Sequence, residues 1–123
     1  MPGTLLDTSA VLAGPADLPA TGAISVITLG ELRAGVALAQ TAETAAHRLA
    51  GLEAVRATFV PLPVDEEVAR SFGDLLALAR REGRITKATD LLIVATAQAT
   101  GRALLTLDER QGRLAEAAGV PRA

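Results

Sequence analysis

The sequence has little of the chemistry that depends on sulfur, imidazole or aromatic rings. Among 123 residues there is no cysteine, tryptophan or tyrosine, and there are only two phenylalanines and one histidine. The lack of cysteine excludes disulfides, thiolate nucleophiles and cysteine-built zinc sites. One histidine is too few for a multi-histidine metal site and disfavours a Ser-His-Asp triad. Too few aromatic side chains remain to form a platform that stacks nucleic-acid bases.

An excess of positive charge is also missing. Twelve basic residues stand against 14 acidic ones, which gives a net charge of −2 and a pI near 5.3. Any contact with RNA or DNA is therefore expected to be local rather than spread over a basic surface. The apolar run from Leu5 to Leu12 is short and carries Asp7, so we expect neither an export signal nor a membrane span, but a cytoplasmic protein. The length fits one domain, over residues 1–123.

Short strand-like runs alternate with longer helical patterns, which is typical of an α/β domain with a parallel sheet. We predict four strands, at 4–6, 23–26, 58–62 and 103–106. Helices are predicted at 28–39 with Thr28 as its cap, at 41–55 with Thr41 as its cap, and at 65–81, 90–100 and 109–118. The stretch 14–22, with two prolines, is predicted to be a loop.

Four acidic residues lie near the predicted strand ends. Asp7 directly follows the first strand, Glu31 lies in the first turn of the helix after the second strand, and Asp108 lies two residues beyond the last strand. The fourth acid, Asp90, opens the helix that leads into the last strand, and its place at the same edge depends on a crossover from the third strand through the helix at 65–81. Ligands of an open parallel sheet bind beyond the carboxyl ends of the strands, so these acids mark the candidate site.

Each acid taken singly has an ordinary explanation, because carboxylates are favoured at helix N-termini. Together they would repel one another, and hard divalent cations with oxygen ligands are the usual solution. Mg²⁺ or Mn²⁺ is therefore the expected cofactor. A cation held in this way can activate a water molecule for attack on a phosphodiester, so no nucleophilic side chain is required.

Four segments carry a family resemblance: LLDTSAVL at 5–12, ISVITLGELRAG at 24–35, ATDLLIVATA at 88–97 and LLTLDERQ at 104–111. In this order and spacing the chain resembles the PIN-domain ribonucleases of the VapC type, the toxins of bacterial toxin-antitoxin pairs. The resemblance implies a three-layer α/β/α sandwich with a short parallel sheet, in a homodimer that cleaves RNA. It also implies metal-binding acids and supporting hydroxyls, at Asp7, Glu31, Asp90, Asp108, Thr8 and Thr106.

The resemblance further implies an antitoxin partner, which would lay a hydrophobic segment between the Ala-rich helices and direct a basic side chain toward the acids. It leaves open whether Asp108 or Glu109 completes the acidic set. From its closeness in sequence to Asp90, Lys87 is predicted to contact RNA. Arg33 and His47 are predicted to be surface residues, His47 with the option of facing a partner.

The main prediction is a metal-dependent endoribonuclease. The alternative is a receiver-like regulatory module that binds Mg²⁺ without cutting anything. A third hypothesis, a phosphatase with an aspartyl nucleophile, needs a second Asp two residues after Asp7, where the sequence has Ser9. Ser9 is instead predicted to cap a short helix.

Overall fold

A four-stranded parallel sheet organises the chain in the computed structural model, which describes residues 3–14, 18–19 and 21–123. The strands are β1 (Thr4–Leu6), β2 (Ala23–Ser25), β3 (Val60–Leu62) and β4 (Ala103–Leu105), in the spatial order β3-β2-β1-β4. The helices are α1 (Thr8–Leu12), α2 (Val26–Ala37), α3 (Ala42–Thr58), α4 (Glu66–Arg81), α5 (Ala88–Thr100) and α6 (Glu109–Ala117). None of these helices is both long and apolar enough to cross a bilayer.

Helices cover both faces of the sheet because neighbouring strand residues point to opposite sides. In β1, Leu5 belongs to a core with α4, α5 and α6, whereas Leu6 packs with residues of α1, α2 and α3. Ala23 and Ile24 of β2 divide in the same way. The result is the predicted three-layer α/β/α sandwich, with every strand pair parallel.

The second helix begins earlier than predicted. Its N-cap is Ser25, whose hydroxyl accepts a hydrogen bond from the backbone N–H of Ile27, so Val26 and Ile27 are helical. Thr28 is therefore not the cap but a fully buried residue inside α2. Tertiary packing overrides the β propensity of this segment. As a consequence, Glu31 lies in the second turn of the helix rather than the first.

Other boundaries move by a few residues. Helix α3, capped by Thr41 as predicted, continues to Thr58, so β3 begins at Val60. Helix α5 begins at Ala88, which places Asp90 in its first turn rather than at its opening. The strands β2 and β4 each end one residue early. The predicted loop at 14–22 falls partly outside the described residues, which omit 15–17 and 20.

The two helical layers are packed very differently. Helix α5 buries six residues between the sheet and α4, whereas none of the 17 residues of α3 is buried. Helix α3 packs mainly on α2. The α2–α3 pair therefore leaves an apolar surface next to the carboxyl edge of the sheet.

Candidate active site

Asp7 occupies the centre of the candidate site, at the end of the central strand β1. Its side chain is 4% exposed, and its backbone N–H donates to the carbonyl of Leu105. Ser9 Oγ and Thr106 Oγ1 donate to one carboxylate oxygen, Oδ2, over 2.8 and 2.7 Å. A buried carboxylate needs such donors, since an unpaired one would be costly to desolvate.

Ser9 has a different role from the predicted one. The N-cap of α1 is Asp7, so Ser9 lies within the helix. Besides donating to Asp7, the Ser9 hydroxyl accepts a hydrogen bond from the backbone N–H of Leu107. Ser9 therefore ties the loop after β4 to the Asp7 carboxylate.

Glu31 is oriented by the hydroxyl of Thr8 on α1, which in turn contacts the hydroxyl of Thr28 on α2. Thr8 Oγ1 donates to Glu31 Oε1 over 2.7 Å, and the hydroxyls of Thr8 and Thr28 are 2.9 Å apart. Thr28 is fully buried, so this short chain of hydrogen bonds links the α2 interior to α1. The two threonines that the resemblance implies as supports, Thr8 and Thr106, thus contact Glu31 and Asp7 respectively.

Asp90 lies near the other acids. Burial raises the pKa of the Asp90 carboxyl, and the charges of Asp7 and Glu31 raise it further. Lys87 lowers that pKa, and Asp108 raises it by a smaller amount. The four predicted acids therefore share one edge of the sheet, with negative charge in excess over positive charge around Asp90.

The side chains of Asp108 and Glu109 make different contacts. The Asp108 carboxylate caps α6 by accepting a hydrogen bond from the Arg110 backbone N–H over 2.9 Å. Glu109 instead pairs with Arg122 at 2.9 Å, and the hydrogen bond from Arg122 lowers the pKa of Glu109. Of the two, Asp108 is the one that acts electrostatically on Asp90.

Gln111 is a buried contact of the site that the sequence did not indicate. Its side-chain amide donates to Asp7 Oδ1 at 3.4 Å and to the backbone carbonyl of Asp90 at 3.1 Å. Gln111 therefore connects α6 to the residue that follows β1 and to the first turn of α5. The only available signal was its place in the segment 104–111, which does not distinguish an inward amide from a surface one.

The donor set suits a divalent cation in kind and in charge. All four side chains are carboxylates, the ligands that hard cations prefer, and Asp90 is held among like charges. Within residues 3–14, 18–19 and 21–123, no three His, Cys, Asp or Glu side chains converge closely enough to hold one ion. The carboxylates of Asp7 and Glu31 are directed toward the hydroxyls of Ser9, Thr106 and Thr8 instead.

A mostly apolar cleft of about 610 Å³ opens on the α1–α2–α3 side of Glu31. Val11, Leu32, Leu52 and Val55 supply much of its lining. His47 also lies there and is exposed, as predicted for a surface residue with the option of facing a partner. This surface, named here the apolar cleft, reaches the acidic site directly through Glu31.

Comparisons with known proteins agree with this architecture. The chain is 37% identical to Ribonuclease VapC5 of Mycobacterium tuberculosis over 123 residues, covering 94% of this chain and 90% of that protein. It superposes on a crystal structure of VapBC-5, a member of the VapBC family of toxin-antitoxin systems from the same organism, with a TM-score of 0.84. That match has 36% identity and covers 98% of both chains.

A second solved structure, FitAcB from Neisseria gonorrhoeae, matches with a TM-score of 0.79 and 29% identity over 97% of this chain and 95% of that one. The family model described as "PIN domain" matches residues 4–117, which include all four acids. The chain belongs to the PIN domain family.

Proposed function

We propose that this protein is a metal-dependent endoribonuclease and the toxin of a type II toxin-antitoxin system, with residues 1–123 acting as one PIN-like domain. The observation that carries the proposal is geometric: the Gln111 amide joins the buried Asp7 carboxylate to the backbone of Asp90, and Thr8, next to Asp7, donates to Glu31. Burial and the charges of Asp7 and Glu31 raise the pKa of Asp90 in this setting. Carboxyl groups whose pKa is raised by burial and by neighbouring acids are typical of functional sites. Similarity to a protein named as a ribonuclease gives this acidic cluster its substrate class.

Asp7, Glu31, Asp90 and Asp108 are the residues we assign to metal binding, with Mg²⁺ or Mn²⁺ as the cation. When bound, the cation supplies an activated water and neutralises charge on the phosphate and the leaving oxygen. The chain's own part is to hold the carboxylates. Thr106 fixes Asp7, and Thr8 fixes Glu31, each through a hydrogen bond of 2.7 Å.

The proposed partner is an antitoxin that binds in the apolar cleft. VapBC-5, to which the chain is 36% identical, belongs to a toxin-antitoxin family, and the cleft offers a partner unburied Leu and Val side chains beside Glu31. A basic antitoxin side chain that reached the acids would neutralise them and compete with the metal. We further propose a homodimer and a cytoplasmic location, where RNA substrates are found.

The test is RNA cleavage with Mg²⁺, with Mn²⁺ and with EDTA. Cleavage should require the metal and should fall by at least about 10²-fold in Asp7→Asn and in Asp90→Asn, since each change removes one charge from a preorganised electrostatic site. Asp74→Asn, an exposed residue of α4, is the matched control and should cleave normally. Circular dichroism establishes that the variants are folded. Cleavage retained by either site variant, or undiminished by EDTA, would contradict the proposal.

The chain lacks residues that the two alternative functions require. Besides an acceptor Asp at the end of a middle strand, a receiver needs a Lys that follows another strand, whereas the one lysine of the sequence, Lys87, lies directly before α5. An aspartyl phosphatase needs a second acid where Ser9 lies, and the Ser9 hydroxyl donates to Asp7. Transfer of phosphate to the protein itself would be the outcome favouring these alternatives.

A further inference from the structure

A second cleft, of about 480 Å³, opens on the opposite side of the acidic site, between the α4–α5 turn and α6. Arg84 and Lys87 line one wall, and Arg110 and Arg113 line the other. Asp90 and Asp108 lie in the same cleft. This surface, named here the basic cleft, therefore begins where the proposed metal ligands are.

The basic cleft has a local charge opposite to that of the whole chain. It is lined by four cations and two carboxylates, whereas the chain carries a net charge of −2. In the part of the chain that the structure describes, Arg84 forms an ion pair with Glu82, and the other three cations of the cleft form none. Their charges are available to an anionic ligand.

Helix stability does not account for two of the four cations. Lys87 is the N-cap of α5, and Arg110 lies in the first turn of α6. A cation is unfavourable at a helix N-terminus, where the helix dipole is already positive. Two cations placed against helix dipoles, Lys87 and Arg110, thus line one cleft. With Arg84 and Arg113 they form a local excess of positive charge, which attracts anions.

We propose that the basic cleft binds the phosphodiester backbone of RNA next to the bond that is cut, so that the strand crosses the site on the α5–α6 side. The inference rests on the proposed ribonuclease function and assigns the path of its substrate. Arg110 and Arg113 contact phosphates on one wall, and Arg84 and Lys87 contact them on the other. Because no aromatic side chain lines the cleft, it reads charge rather than base identity.

The experiment measures binding of a short fluorescein-labelled 2′-O-methyl oligoribonucleotide, which resists cleavage, by fluorescence anisotropy in EDTA. For single strands each phosphate contact contributes about 0.7 to the slope of log K against log salt, or roughly a factor of five at about 0.1 M salt. Arg110→Gln combined with Arg113→Gln should therefore raise Kd about 25-fold and reduce the slope by about 1.4. Both residues are exposed, so the fold should persist.

Two matched variants control this measurement. Arg56→Gln combined with Arg70→Gln removes the same charge from exposed positions outside the basic cleft and should leave Kd and slope near wild type. Arg110→Lys combined with Arg113→Lys keeps the charge and should keep most of the binding. The proposal would be overturned if the Arg56 and Arg70 variant lost as much RNA affinity as the Arg110→Gln and Arg113→Gln variant. Loss of RNA binding in the Lys variant would overturn it as well.

The remaining outcomes separate this inference from the proposed function. Unchanged Kd and slope in the Arg110 and Arg113 Gln variant overturn the RNA path, whatever the cleavage assay gives. A labelled poly-glutamate peptide that binds more tightly than RNA, and is lost in that variant, would assign the cleft to an acidic protein segment instead. The binding assay contains EDTA and needs no metal. A protein that binds RNA in the basic cleft but does not cleave it would therefore contradict the proposed ribonuclease activity and leave the RNA path intact.

Discussion

Two clefts flank the same acidic residues, and their chemistry is opposite. The apolar cleft approaches Glu31 from the face of the sheet covered by α1, α2 and α3, and its lining is dominated by Leu and Val side chains. The basic cleft approaches Asp90 and Asp108 from the face covered by α4, α5 and α6, and four cations line it. Under the two proposals, a protein inhibitor and an RNA substrate reach one site by separate routes.

The difference in packing supports different occupants. Helix α3 has no buried residue, so the apolar cleft exposes side chains that a protein segment could cover with a gain in hydrophobic free energy. Helix α5 is largely buried, and the basic cleft beside it exposes charge. Mutations that affect only one of the two surfaces test this division.

The largest effect is expected in the apolar cleft. Leu52→Asp places a charge among its Leu and Val side chains, and loss of a central interface contact costs about 2 kcal/mol or more, so antitoxin Kd should rise at least roughly 30-fold. The measurement is calorimetry with the cognate antitoxin. RNA cleavage should not change.

Leu38→Asp is the control for that experiment, because Leu38 is 77% exposed and lies outside the cleft. The Arg110 and Arg113 Gln variant should show the reverse behaviour, with weaker RNA binding and normal antitoxin binding. Parallel loss of both activities in either variant would mean that the two clefts are not separate.

A smaller effect is expected at Gln111, which connects the charged side of the site to Asp7. Gln111→Leu removes the amide donor from a buried carboxylate and from the Asp90 carbonyl, so the free energy of unfolding should fall by about 1–3 kcal/mol. Urea denaturation measures it. Gln98→Leu removes an exposed amide that donates to the Ala118 carbonyl and should cost less than about 0.5 kcal/mol. Equal losses of unfolding free energy in the two variants would contradict the role of Gln111 as a buried contact of the site.

The smallest effect concerns the charge of Asp90. Its pKa is raised above 3.8 in the folded protein, first by burial, so the ionised form is disfavoured by folding. The free energy of unfolding of the wild type should therefore fall, relative to that of Asp90→Asn, as pH rises through the folded-state pKa of Asp90. At neutral pH this difference between the two proteins should have reached its full size. Thermal melts in EDTA at several pH values measure it. A variant less stable than wild type at neutral pH would show that Lys87 outweighs the neighbouring acids.

The sequence predicted the fold class and the number of strands, because hydrophobic periodicity and the spacing of four motifs are local signals. It was wrong about the start of α2, where the apolar residues Val26 and Ile27 follow Ser25 without a break in pattern. No local sequence signal indicates that Ser25 ends the strand and caps the helix. For the same reason Glu31 was predicted in the first turn of α2 and lies in the second.

By itself, the sequence indicated that Asp7 and Asp108 follow strand ends and that Glu31 and Asp90 lie near helix starts, and the carboxyl ends of parallel strands meet at one edge of the sheet. The tertiary structure decided which groups hold those acids. Thr106 and Gln111 lie about a hundred positions from Asp7 along the chain, and their hydrogen bonds depend on β4 pairing with β1 and on α6 packing beside it. Likewise, the two clefts arise only when helices distant in sequence become neighbours, because their charge and shape belong to no single segment.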